Sequence, residues 1–126
     1  MPITIKITGI GVLFILMITS GFWLSKKNKP YPVILFNIHK IISLACFILG
    51  SIVIYNLQKE IELSSILFIL ILVTGSLFVL SMITGGLLNL DKPFYNFLKL
   101  LHRIFSLTVI ILTAAIFYLT KENGTF

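Results

Sequence analysis

Four apolar runs, each long enough to cross a lipid bilayer, are separated in this chain by short clusters of charge, proline and glycine. They cover about residues 5–24, 33–57, 63–88 and 94–120. A hydrocarbon core of about 30 Å needs roughly 20 residues of helix at a rise of about 1.5 Å each, so every run suffices as a span. In such a medium only self-satisfied helices or closed barrels persist, and runs of this length read as helices. Composition agrees, since 58% of the 126 residues are hydrophobic and only 11% charged, with a mean hydropathy of +1.10. A water-soluble core of this size would need far more polar surface. The expectation is a single transmembrane domain, 1–126, with no room for a soluble catalytic unit.

A cleaved leader is the alternative reading of the first run. Its length, the lack of an A-x-A-like site and the lysines behind it make it a retained span. Short loops force neighbouring spans to be antiparallel, so the fold class is all-α: an integral membrane, up-down four-helix bundle of two tandem helical hairpins. The first span is stopped by Ser25-Lys26-Lys27-Asn28-Lys29-Pro30, the third by Asn89-Leu90-Asp91-Lys92-Pro93, and the fourth by Lys121-Glu122-Asn123-Gly124. The face holding the first and third loops carries Lys26, Lys27, Lys29 and Lys92, with Lys40, Lys99 and Arg103 just inside the helices that start there. The opposite face has Lys6, Lys59 and Lys121 offset by Glu60, Glu62 and Glu122. The excess of lysine and arginine orients the first face to the cytoplasm of a cell (inner) membrane and puts both termini outside. Trp23, Tyr31, Phe94 and Tyr95 at one level, and Tyr55 and Tyr118 at the other, form the usual interfacial belts. The net charge of +6 is thus loop charge facing lipid headgroups, not a nucleic-acid surface. One cysteine, Cys46, excludes an intrachain disulfide, a CxxC pair and a cysteine zinc site.

Sliding the chain over itself by half its length reveals a repeat. Pro30 meets Pro93, His39 meets His102, Lys40 meets Arg103 and Ser43 meets Ser106. With one further residue of offset, Gly11 lies over Gly75 and Ser20-Gly21 over Thr84-Gly85. Polar matches carry the weight here, because polar residues inside spans are scarce. Residues 1–63 and 64–126 are therefore two copies of one hairpin in the same orientation, related by a pseudo-two-fold axis along the membrane normal. His39 and His102, the only histidines, are expected at one depth on the second and fourth helices, facing each other across the bundle.

A buried imidazole in lipid needs a partner. One haem b, with an axial nitrogen from His39 and one from His102, would supply it. Thr19, Ser20, Gly21, Thr84, Gly85 and Gly86 are small residues at that depth, so Gly21, Gly85 and Gly86 are expected to admit a flat ring. Lys40, Lys99 and Arg103 lie toward the water edge and suit the propionates. Ser43 and Ser106 sit one turn deeper than the histidines, where a hydroxyl can approach the cofactor or bond its own helix at i−4, the commoner use of serine. Two imidazoles without a carboxylate or thiolate make a poor bare copper or zinc site. The competing reading makes the histidines interfacial anchors beside Lys40 and Arg103.

The segments Phe36-Asn37-Ile38-His39-Lys40-Ile41-Ile42-Ser43 and Leu100-Leu101-His102-Arg103-Ile104-Phe105-Ser106 resemble the haem-ligand helices of small b-type membrane cytochromes, the cytochrome b561 and ferric-reductase-like group. Leu101-His102-Arg103-Ile104 also resembles ligand helices of haem A synthase. The resemblance covers the ligand segments, not the whole chain. It implies a bis-histidine haem; the expected function is one-electron transfer with a quinone or a redox partner protein or subunit, and a homo-oligomer is a further candidate assembly. Members of the group commonly carry two haems on four or more histidines; two histidines imply one haem and no complete transmembrane wire. No flavin or nicotinamide fingerprint and no nucleophile–base pair is visible, so a stand-alone enzyme is not expected. The alternative function is a cofactor-free small transporter or a scaffold subunit of a membrane complex. Against transport, no Asp or Glu falls inside any span to couple protons.

The expected orientation is checked in a Cys46→Ser background. A cysteine at Asn123 should react with an impermeant maleimide on intact cells, and one at Lys27 only after permeabilisation. The opposite pattern inverts the topology.

Overall fold

The computed structural model describes residues 2–27, 30–89 and 93–122. Four helices account for nearly all of them: α1 Ile3–Ser25, α2 Val33–Glu60, α3 Ser65–Leu87 and α4 Tyr95–Glu122. All four are long and apolar enough to cross a membrane. The protein is thus an all-α, multi-pass membrane protein with the element set of an up-down four-helix bundle. Asn28, Lys29, Leu90, Asp91, Lys92, Asn123 and Gly124, which entered the loop and helix-stop readings, lie outside the described residues.

Prolines mark the helix starts. Pro2 is the N-cap of α1 with φ −59°, Pro30 and Pro32 precede α2, and Pro93 precedes α4. At these places the missing N–H removes no helical bond. The carbonyls just outside the helices open the ladders: Pro2 accepts from Ile5 N (3.1 Å), Pro32 from Phe36 N (2.9 Å), Ser64 from Phe68 N (3.0 Å) and Phe94 from Leu98 N (2.9 Å). α1 closes with tight bonds from Lys26 N to the Trp23 carbonyl (3.2 Å) and from Lys27 N to that of Leu24 (3.0 Å). Such a tightened last turn satisfies carbonyls otherwise left without a helical partner.

Helix limits differ from the apolar runs in one systematic way. α2 continues through Gln58-Lys59-Glu60 and α4 through Lys121-Glu122, because these are good helix formers and nothing breaks the chain at the hydrocarbon boundary. α3 starts at Ser65 rather than near Leu63, since the Ser64 hydroxyl caps it by accepting from Leu67 N at 3.2 Å.

The chain divides into two units, Met1–Leu57 and Gln58–Phe126. In the first, Ser20 and Gly21 of α1 stand against His39 of α2. In the second, Gly85 of α3 stands against His102 and Ser81 against Ser106 of α4, which is the register of an antiparallel pair. Large apolar side chains such as Ile15, Ile34, Ile41, Ile66, Leu107 and Ile111 are exposed, as suits helices whose solvent is lipid. Hydroxyls within the spans mostly bond their own helix: Thr19 to Ile15 O, Ser51 to Phe47 O, Thr74 to Leu70 O and Thr108 to Ile104 O, at 2.6 to 2.8 Å.

The Ser64 cap yields a stability prediction. Ser64→Ala should cost about 1 kcal/mol at the start of α3, seen as several-fold faster hydrogen exchange at the first-turn amides of Ile66 and Leu67 in detergent. Ser64→Asp should preserve protection.

Candidate functional site

Both histidines lie two turns into the helix that follows a loop, half-buried, with the ring turned to the preceding helix of the same hairpin. In the second hairpin His102 Nδ1 lies 2.8 Å from the Ser81 carbonyl oxygen. A carbonyl only accepts, so Nδ1 carries the hydrogen and Nε2 holds the lone pair. Thr84 Oγ1 and Ser81 Oγ are each 3.4 Å from the same nitrogen. The Thr84 hydroxyl donates within its helix, toward Leu80 O (2.9 Å) and Ser81 O (3.1 Å).

The first hairpin reaches the same end with one atom inserted. Ser20 donates to the Met17 carbonyl at 3.0 Å. The same hydroxyl lies 2.9 Å from His39 Nδ1. Met17 and Ser20 are the repeat equivalents of Ser81 and Thr84. Both imidazoles thus bring Nδ1 to the same place on the neighbouring helix.

Glycine makes this approach possible. A Cβ on Gly21 would lie 2.9 Å from His39 Cε1, and one on Gly85 would lie 2.7 Å from His102 Cε1 and 3.0 Å from its Nδ1. Neither distance is open to a real side chain, so each glycine is a seat for the edge of an imidazole. The space that the sequence assigned to a flat ring at Gly21 and Gly85 is filled in each hairpin by that edge. Gly86 has no atom within 4 Å of where its Cβ would be.

The two serines one turn deeper diverge. Ser43 bonds back to the His39 carbonyl at 2.7 Å, the usual i−4 habit. Ser106 instead pairs with Ser81 Oγ at 2.7 Å. The difference follows from the opposing helix, where Ser81 supplies a hydroxyl and the equivalent Met17 supplies none. Among the described residues no buried side-chain nitrogen or oxygen lacks a partner.

Of the cations, Lys40 and Arg103 are exposed. Lys40 Nζ sits 5.0 Å from the centroid of Phe36 and Lys99 Nζ 5.9 Å from that of Tyr95, each on an aromatic ring one turn toward its helix start. Cys46 is buried and free on α2. No group of three or more His, Cys, Asp or Glu occurs among the described residues, so no ready pocket for a bare ion is built there. The imidazole partners Ser20, Ser81 and Thr84 went unassigned as such in the sequence. The hydroxyl–glycine pairs Ser20-Gly21 and Thr84-Gly85 in the repeat were their signal. No family model, curated protein or solved structure matches this chain.

Gly85→Ala tests the seat. His102 is pinned through Nδ1 and cannot swing aside freely, so the added methyl should destabilise the second hairpin by about 1 to 3 kcal/mol, read by thermal unfolding in detergent. Gly86→Ala, with open space around it, should leave the transition unchanged.

Proposed function

We propose that this protein is a membrane haem b protein in which His39 and His102 are the two axial ligands of one haem, exchanging single electrons with a quinone or a redox partner protein in the cell membrane. One observation supports the reading: two repeat-equivalent imidazoles, each with Nδ1 held against a carbonyl or hydroxyl of the neighbouring helix and its edge seated on glycine, an arrangement in which Nε2 would be the nitrogen to ligate. Protein-bound metal ligands of this type characteristically hand the other ring N–H to a carbonyl or hydroxyl, which fixes tautomer and orientation. The donor set favours a macrocycle that brings four nitrogens of its own, since two neutral imidazoles alone hold a bare divalent ion poorly. When bound, the haem would supply one-electron redox chemistry.

The chain's own residues then have distinct tasks. His39 and His102 would hold the haem, and Ser20 and the Ser81 carbonyl orient their rings through Nδ1. Lys99 and Arg103, toward the basic end of α4, provide the charge that suits propionates. The apolar spans exclude water and favour an uncharged environment around the macrocycle. The basic face lies in the cytoplasm and both termini outside, following the distribution of lysine and arginine.

A visible spectrum of purified protein, before and after dithionite, is the test. Sharp reduced α and β bands should appear in the wild type and be lost in His39→Ala and in His102→Ala. Ser20→Ala should keep the spectrum and weaken hemin affinity about 10-fold, as expected when a partner of a ligand is removed. A colourless protein that takes up no added hemin overturns the proposal.

A further inference from the structure

We infer that the turn end of the first hairpin binds the phosphate of an anionic membrane lipid, with Lys26 and Lys40 as its cations. Residues 1–59 contain no aspartate or glutamate. The lysines at this turn therefore have no carboxylate at their own end of the hairpin, whose acids, Glu60 and Glu62, lie at its far end, and a counter-anion must come from elsewhere.

The geometry brings two of these charges to one level. Helical side chains lean toward the N-terminus of their own helix, and α1 and α2 run in opposite directions. Lys26, at the end of α1, thus leans back into the bilayer, with Nζ 4.6 Å from the Phe22 ring centroid. Lys40, two turns into α2, leans outward, with Nζ 5.0 Å from the Phe36 centroid. Because Ser20 and Gly21 stand against His39, the antiparallel register sets Phe36 level with Trp23 and Leu24. Both ammonium groups end at the depth of this aromatic layer, where lipid phosphates begin.

The layer is built to hold them. Phe36 is buried and stacked on Tyr31, with ring centroids 5.8 Å apart and planes within 9°, which fixes the platform under Lys40. Phe22 and Trp23 are 63% and 57% exposed, so the Lys26 side of the layer presents an apolar surface. A cation held at the rim of an exposed apolar surface selects an amphiphilic anion over a freely dissolved one. This assigns Lys40 to a lipid phosphate, where the sequence alone made it a candidate for a propionate. The inference does not depend on haem.

Trp23 is the only tryptophan and reports on its own neighbours. Haem-free, full-length protein in detergent micelles is titrated with brominated phosphatidylglycerol or brominated phosphatidylcholine while Trp23 fluorescence is followed. The anionic lipid should quench at a mole fraction about 10-fold lower, the scale expected of two interfacial lysines. Lys26→Gln with Lys40→Gln should merge the two curves without moving the phosphatidylcholine curve, and Lys26→Arg with Lys40→Arg should retain the preference. Equal quenching by both lipids in the wild type, or a preference surviving in the glutamine variant, overturns the inference. Loss of the preference on adding inorganic phosphate identifies a free anion as the ligand, and its loss on adding hemin identifies a propionate. Either result also overturns it.

Discussion

In hydrocarbon, a polar group that finds no partner within the protein finds none at all. Backbone amides meet this demand by closing helices, and most hydroxyls meet it by bonding the carbonyl one turn back, as Thr19, Ser43 and Thr108 do. Here each imidazole meets it on a second helix. His39 and His102 do so on α1 and α3, and this need locks the register of each hairpin. The glycines follow as a consequence. An Nδ1 placed 2.8 or 2.9 Å from an atom on the neighbouring helix carries Cε1 into the backbone beside it, where only glycine leaves room.

The two hairpins solve one problem with different atoms. In the second, the imidazole reaches the Ser81 carbonyl directly, with Thr84 and Ser81 hydroxyls close by. In the first, the Ser20 hydroxyl stands between the ring and the equivalent Met17 carbonyl. The exchange of Met17 for Ser81 then spreads to the next turn, freeing Ser106 from the back-bond that Ser43 makes. The two hairpins thus hold Nδ1 of their histidines at the facing helix through different atoms.

Charge is distributed with similar economy. The turn end of the first hairpin carries lysines and no acid, and Lys26 and Lys40 there rest on aromatic rings. A cation–π contact holds an ammonium in place while leaving its hydrogens turned to an anion.

Four helices and their approximate limits were legible in the amino-acid order. Apolar length and the spacing of Pro30 and Pro93, or of His39 and His102, are one-dimensional quantities that lipid as a solvent converts directly into structure. Helix ends were read less well, because Gln58-Lys59-Glu60 favour helix as much as water and because one hydroxyl, that of Ser64, decides where α3 begins. The two histidines and the smallness of Gly21 and Gly85 were visible, but not what the glycines are small for. Only the tertiary structure decided that an imidazole edge fills the space, that Nδ1 is the anchored nitrogen in both rings, and that Ser43 and Ser106 part company. Each of these depends on which atom of the facing helix lies within 3 Å or so, a distance that spacing along a single chain does not specify.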